Sequence, residues 1–177
     1  MIRNICRFIT TMLLICFSAA GWPQWTVGSR GFGGGPWTYY TSSGINNTSC
    51  TATYQGTNPC ASTDNYTWAS QPVSGTVTIH VKVSGSIQVV NASGIGNAYI
   101  YYNTTGGCGV GSYMYQYTYS TVGTLTWSYD EYSTTVSVSN LNSLCVQMYV
   151  YGDAASGIGD EVISSIHPDE IYVTVTH

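Results

Sequence analysis

The chain has 177 residues, of which 7% are charged and 14% aromatic, and its formal net charge is −4. With four lysines and arginines against eight acids, it lacks the basic patch that binding to nucleic acids or anionic membranes requires. A disordered chain is also excluded, because such chains are poor in aromatic and β-branched residues, which are abundant here.

Residues 1–20 have the pattern of a secretory signal peptide. Arg3 and Arg7 precede an apolar run from Phe8 to Phe17, and small residues follow at 18–20. The apolar run is about half the roughly 20 residues that a membrane-spanning helix needs. We therefore expect a secreted, extracellular or cell-surface protein without an integral membrane span.

Residues 21–44 are predicted to form a glycine- and tryptophan-rich arm that precedes a single domain at 45–177. The segments QWTV and PWTYY are predicted short strands, and the glycine-rich stretch between them is a flexible joint. Such an arm either folds back on its own domain or adds a strand to a neighbouring subunit. Its candidate assembly or ligand residues are Trp22, Trp25 and Trp37.

The predicted domain alternates apolar and polar residues with a period of two, in runs separated by turn residues. In the clearest run, GTVTIHVKVSG, the side chains of Val77, Ile79, Val81 and Val83 would share one face. No stretch shows sustained helical periodicity. The pattern predicts an all-β fold, an antiparallel β-sandwich of the jelly-roll or immunoglobulin-like kind with about nine or ten strands.

Four cysteines follow the predicted signal peptide, an even number that in an exported chain predicts two disulfides. Of the three possible connectivities, we favour Cys50–Cys60, which flanks a turn-rich segment, and Cys108–Cys145, which would tie a loop to a late strand. A zinc site is disfavoured because the chain has no Cys-x-x-Cys and His80 stands alone in a predicted strand.

An unusual row of tyrosines occurs in YMYQYTYSTVGTLTWSY, residues 113–129. A three-residue loop ending at Gly123 predicts a hairpin that pairs Tyr117 with Trp127 and collects the aromatic side chains on one face. That face is either core or a binding surface, because each buried tyrosine hydroxyl needs a hydrogen-bond partner. The candidate surface residues are Tyr113, Tyr115, Tyr117, Tyr119 and Trp127.

The sequence predicts a non-enzymatic protein without a cofactor. Its three histidines lie in no nucleophile or metal motif, and its adjacent acidic pairs lie near predicted turns, where acids are usually solvated. The exception considered is a structural calcium ion, whose candidate oxygen ligands in a glycine-rich loop are Asp153, Asp160 and Glu161.

Two functions fit these features. The first, which we expect, is a structural subunit that binds copies of itself and assembles into a filament, a pilus-like fibre or a surface layer. In its arm and low charge, the chain resembles exported pilus subunits that assemble by strand donation, although it matches no motif of theirs. The second is a carbohydrate-binding or adhesive domain whose tyrosines and tryptophans stack on glycans. A monomeric domain with a purely structural aromatic core is a third option.

Overall fold

The computed structural model describes residues 26–27, 37–41, 47–91, 94–105, 107–109, 111–155 and 157–176. The predicted signal peptide, Trp22 and Trp25 lie outside these residues. The described part of the chain forms eight strands, all paired antiparallel. They are β1 (Thr26–Val27), β2 (Trp37–Thr41), β3 (Thr48–Thr53), β4 (Cys60–Val90), β5 (Gly94–Asn103), β6 (Ser112–Tyr119), β7 (Gly123–Ala154) and β8 (Glu161–Thr176).

The eight strands form one sheet, in the order β2-β8-β4-β7-β5-β6, with β1 beside β4 and β3 beside β8. The 31-residue β4 and the 32-residue β7 pair along almost their whole lengths. Irregularities in this ladder between Ala69 and Gly75, and between Val83 and Gly85, are places where bulges let a sheet bend.

The sheet has two parts, here called the β5 half and the β8 half. The β5 half consists of residues 60–69 of β4 and 143–154 of β7, with β5 and β6. The β8 half consists of residues 76–90 of β4 and 123–138 of β7, with β8, β2 and β3.

The inner faces of the two halves share one apolar core. From the β8 half, the predicted face of Val77, Ile79, Val81 and Val83 is buried, as the alternation of polar and apolar residues requires. From the β5 half, the same cluster includes Ala98, Ile100, Val146, Met148 and Val150. The sheet therefore curls on itself like a half-barrel, so that side chains on its inner face pack together.

The all-β antiparallel fold is confirmed, and its curled shape is consistent with a β-sandwich-like fold. The predicted division into two sheets and the count of nine or ten strands are not confirmed. Turn-like residues such as Gly75 and Gly85 were expected to separate strands, yet β4 continues through both positions with only a shift in register.

Both predicted disulfides are present. They join Cys50 to Cys60 and Cys108 to Cys145, with Cα–Cα distances of 5.8 and 5.4 Å. Stable disulfides form in oxidising compartments, so the pairing is compatible with an extracellular location. Among the described residues, no helix has the length and apolar character needed to cross a membrane.

Two segments of the predicted arm belong to the sheet. In β1, Thr26 pairs with Ala69 of β4, and in β2, Trp37 to Thr41 pair with residues 170–174 of β8. These two strands pair with the same chain, at the position that the predicted arm would occupy if it folded back on its own domain.

The predicted hairpin between β6 and β7 is wrong. Tyr117 of β6 pairs with Ala98 of β5, whereas Trp127 of β7 pairs with Gly85 of β4. The connection at 120–122 therefore passes from the β5 half to the β8 half instead of turning back in one ladder. Turn chemistry predicted a change of direction at Gly123, whose φ is 132°, but could not specify which strands β6 and β7 would join.

Candidate functional site

A β-bulge divides the tyrosine row of β6 between two faces of the sheet. Ile100 pairs with Tyr115 and Tyr101 pairs with Tyr113, so Met114 is an extra residue on β6. Tyr113 consequently contacts tyrosines on the outer surface and is 60% exposed. On the other side of the bulge, Tyr117 turns inward and is only 8% exposed.

The inward part of the row belongs to the core. The ring of Tyr117 stacks on the indole of Trp127, with ring centroids 3.8 Å apart. The Tyr117 hydroxyl donates a hydrogen bond to Oδ2 of Asp130 at 3.0 Å and lies 2.7 Å from the hydroxyl of Tyr132. Burial, followed by these hydrogen bonds, raises the pKa of Tyr117 well above its usual range. Tyr117 and Trp127 therefore hold the two halves together.

Tyr115 and Tyr119 flank this inner pair. Tyr115 is 41% exposed and stacks on Tyr132, with ring centroids 4.0 Å apart. Tyr119 is partly buried against the core, and its hydroxyl lies where a Cβ on Gly123 would be only 2.9 Å away. Of the predicted surface tyrosines, Tyr113 and Tyr115 are thus the exposed ones. Trp37 lies in β2, on the edge of the other half.

The outer surface of the β5 half carries a cluster of tyrosines flanked by amides, here called the tyrosine face. Its side chains come from neighbouring segments of β4, β5, β6 and β7. They share the outer surface because their positions alternate with the buried residues of these strands. The tyrosine face consists of Tyr99, Tyr101, Tyr113, Tyr149 and Tyr151, with Asn65, Asn97, Gln116 and Gln147.

The Tyr99 and Tyr101 rings stack at an interplanar angle of 21°, whereas the other ring contacts of the cluster are more steeply inclined. The Tyr99 ring lies 5.6 Å from that of Tyr149 and 6.0 Å from that of Tyr113, at interplanar angles of 42° and 47°. Tyr101 lies beneath them, 4.8 Å from Tyr113 and 6% exposed. The cluster therefore presents ring faces and edges to solvent over a buried tyrosine.

Hydrogen bonds fix the amides around the rings. Gln147 Nε2 donates to Oδ1 of Asn65 at 2.8 Å, and Gln116 Nε2 donates to Oδ1 of Asn97 at 3.2 Å. Within the described residues, the Asn65 Nδ2 and the Gln147 and Gln116 Oε1 atoms take part in no hydrogen bond. Asn65 and Gln116 are exposed, whereas Asn97 and Gln147 are buried. The exposed amides thus offer oriented donors and acceptors beside the aromatic rings.

Three hydroxyls of the tyrosine face have pKa values above the usual range for tyrosine. Burial is the main cause that raises the pKa of Tyr99, Tyr101 and Tyr151, and the hydrogen bond with Tyr113 adds to the effect at Tyr101. Asp153, at the border of the face, accepts a hydrogen bond from the Tyr151 hydroxyl at 3.3 Å. The residues of the tyrosine face include neither lysine nor arginine.

The outer surface of the β8 half has a different character. A shallow cleft of about 320 Å³ is lined by residues that include His80, Lys82, Glu131 and Tyr172. The His80 and Tyr172 rings stack with centroids 4.3 Å apart, and Lys82 Nζ lies 2.6 Å from Oε1 of Glu131. The lining of this cleft carries an ion pair and fewer aromatic side chains than the tyrosine face, so the cleft is a weaker candidate for stacking on a ligand.

The three acids considered for calcium are not brought together as a metal-binding group. Among the described residues, no group of three or more histidines, cysteines and acids could hold an ion. Asp160 is buried, and its Oδ2 accepts a hydrogen bond from the Gly157 amide at 3.0 Å. Asp153 contacts Tyr151, and Glu161 begins β8.

Sequence reasoning missed most of the tyrosine face. Tyr99 and Tyr101 in NAYIYYN, and Tyr149 and Tyr151 in QMYVYGD, repeat with a period of two. The tyrosine row of β6 has the same period. A period of two places the tyrosines of one strand on one face, but it does not reveal that β5 lies between β6 and β7. This strand order brings the tyrosines together.

Neither a protein-family model nor a curated protein matches the chain. Among solved structures, it is similar to the carbohydrate-binding module TmCBM61 in complex with β-1,4-galactotriose, with 12% identity and a TM-score of 0.30. That match covers 80% of this chain and 89% of the module. A second structure is the enzymatically active domain of Bacteriophage CBA120 tailspike protein 4, with 11% identity and a TM-score of 0.22. The match covers 80% of this chain but only 19% of the tailspike chain. Both TM-scores are low, and we draw no functional conclusion from either likeness.

Proposed function

We propose that this protein is a secreted, non-enzymatic carbohydrate-binding domain that holds neutral glycans on the tyrosine face. The observation that carries the proposal is the contiguous cluster of tyrosine rings bordered by hydrogen-bonded amides on the outer surface of the β5 half. The proposal requires neither a metal nor a cofactor.

The chemistry of the tyrosine face matches that of a sugar. The apolar C–H faces of a pyranose ring can pack on the exposed ring of Tyr113 and on the partly exposed rings of Tyr99 and Tyr149, while amides bind its hydroxyls. Asn65 and Gln147 already hydrogen-bond each other, so their remaining polar atoms are held in place before a ligand arrives.

The electrostatics favour an uncharged ligand. Lys82, the only described lysine or arginine, lies on the β8 half and is paired with Glu131. Asp153 borders the tyrosine face at Tyr151 and would repel uronic acids and sulfated sugars.

Binding of the full secreted chain to a panel of immobilised neutral oligosaccharides tests the proposal. The panel should include glucose, galactose, mannose, xylose and N-acetylhexosamine chains, with sulfated and uronic-acid glycans as charged probes. For a glycan that binds, Tyr149→Ala should weaken affinity about tenfold or more, because a stacking ring is lost. Tyr149→Phe should retain most of the affinity.

The matched control is Tyr129→Ala, which removes a 66%-exposed tyrosine from the β8 half. Its affinity should equal that of the unmodified protein. If no neutral glycan binds, or if Tyr129→Ala and Tyr149→Ala have the same effect, the proposal is wrong.

Assembly into a filament remains a separate prediction. β2, within the predicted arm, forms an edge of the sheet and pairs with β8 of its own chain. An exchange of β2 between copies would make the same backbone contacts between subunits. Comparing the oligomeric state of the secreted chain with and without residues 21–44 tests this prediction: polymers that disappear on truncation support it, and a monomer in both cases contradicts it.

A further inference from the structure

We infer that the tyrosine face binds internal segments of a single extended neutral polysaccharide, which crosses the four strands roughly at right angles. This inference rests on the proposed function. It adds the direction of the bound chain, the class of glycan and the part of the glycan that is recognised.

The side chains form a row across the strands. Tyr149 pairs with Thr63 on one side and with Tyr99 on the other, and Tyr99 pairs in turn with Gln116. Neighbouring strands are about 4.8 Å apart, so the row is about 14 Å long from its first strand to its last. Two aromatic side chains at its centre are thus flanked by a hydroxyl and an amide.

The row is open at both ends. Thr63 and Gln116 are exposed, and beyond each of them no further strand is paired with these positions in the described part of the chain. A glycan chain that follows the row can therefore continue past the protein in both directions. Such a site can bind an internal segment of the glycan without contacting either end of the glycan chain.

The direction along the strands is restricted instead. Two residues beyond Gln147 on β7, Cys145 is joined to Cys108, which places a disulfide-bonded loop at that end of the face. At the opposite end, Asp153 pairs with Ile95 and accepts a hydrogen bond from Tyr151. A chain that ran along the strands would meet the disulfide-bonded loop in one direction.

The inclination of the rings favours a single chain over a flat surface. Stacking on a crystalline polysaccharide requires coplanar aromatic rings, whereas Tyr99 is inclined by 42° to Tyr149 and by 47° to Tyr113. Rings at different angles can follow successive sugar units that are rotated relative to one another. The face therefore fits a soluble or amorphous chain.

Calorimetry with a length series of the neutral glycan found in the panel tests this inference. Affinity should rise about tenfold from disaccharide to tetrasaccharide and then level off, because the row is then filled. Chemical reduction of the reducing end of the tetrasaccharide should leave affinity unchanged, and the crystalline form of the polymer should not bind.

Gln116→Ala, at one end of the row, should weaken tetrasaccharide binding severalfold and leave disaccharide binding unchanged. Its control is Gln88→Ala, an exposed glutamine of the β8 half, which should alter neither. Full affinity for a disaccharide, or loss of binding when the reducing end is modified, overturns the inference while leaving the proposed function intact. Absence of binding to every glycan overturns both.

Discussion

The ring of Tyr117 lies parallel to the indole of Trp127, with an interplanar angle of 9° and a centroid distance of 3.8 Å. The two residues belong to different halves of the curled sheet and share no backbone pairing. Their stacking is therefore a tertiary contact that closes the core at the β6 edge. It also explains why the tyrosine row of β6 is not a binding surface along its whole length.

The position of Trp127 depends on Gly85, its partner on β4. A Cβ at residue 85 would lie 2.7 Å from Cε2 of Trp127 and 2.5 Å from the carbonyl oxygen of Ser165. We expect Gly85→Ala to lower the free energy of unfolding by about 1–3 kcal/mol, because neither neighbour can move without disturbing the core.

Urea denaturation measures this effect. The control is Gly109→Ala, since a Cβ at Gly109 meets no atom within 4 Å, and this variant should unfold like the unmodified protein. Equal stability of the two variants would contradict the packing described around Trp127.

The Tyr117 hydroxyl should contribute separately from its ring. Tyr117→Phe keeps the stacking but removes the hydrogen bonds to Asp130 and Tyr132. We expect a loss of about 1–3 kcal/mol, because a partly buried carboxylate loses a donor. Tyr129→Phe, which changes a largely exposed hydroxyl, should leave the urea midpoint unchanged. If both variants shift the midpoint equally, the hydrogen bonds of Tyr117 are not what stabilises the core.

Alkaline pH should destabilise the fold before it ionises the buried tyrosines. Burial is the main cause that raises the pKa of Tyr132 to about 12, and it raises that of Tyr117 further. In the unfolded chain, tyrosines ionise near pH 10. Below pH 10 the stabilisation is complete. Above pH 10 the unfolded state loses protons first, so the free energy of unfolding falls progressively as the pH rises from about 10 to 12 and beyond.

Near-ultraviolet absorbance of tyrosinate follows this titration. A subset of tyrosines should ionise only when circular dichroism shows that the sheet unfolds. Ionisation of all tyrosines near pH 10 in a folded protein would contradict the burial of Tyr117 and Tyr132.

The two disulfides should differ in their contributions to stability. Cys108–Cys145 closes a loop of 37 residues and Cys50–Cys60 one of 10. Chain entropy predicts that removing the longer link costs about 1 kcal/mol more. Paired Cys→Ala variants of each link, compared by urea denaturation, measure the difference. A larger loss from the shorter link would show that local packing outweighs chain entropy.

Alternation of residue types was sufficient to predict part of the fold. The burial of Val77, Ile79, Val81 and Val83 follows from a period of two, and both disulfides followed from cysteine number and from the segments between them. These features depend on local pattern or on covalent chemistry. They can be read without knowledge of which strands are neighbours.

The candidate site could not be predicted in the same way. Tyr99, Tyr113 and Tyr149 lie on three different strands and meet only because β5 pairs with both β6 and β7. The hairpin predicted from Gly123 placed β6 beside β7, which is incompatible with this arrangement. In addition, the bulge at Met114 moves Tyr113 to the outer surface, away from Tyr117, which simple alternation does not reveal.

The most direct test of the account is to locate the bound glycan by nuclear magnetic resonance. Titrating the isotopically labelled secreted chain with the neutral oligosaccharide that binds best should shift the backbone amides of Asn97, Tyr99, Gln147 and Tyr149. Those of His80 and Tyr172, on the outer surface of the β8 half, should not move. Shifts confined to the His80–Tyr172 surface, or to the neighbourhood of Tyr129, would contradict the assignment of the tyrosine face as the glycan-binding site.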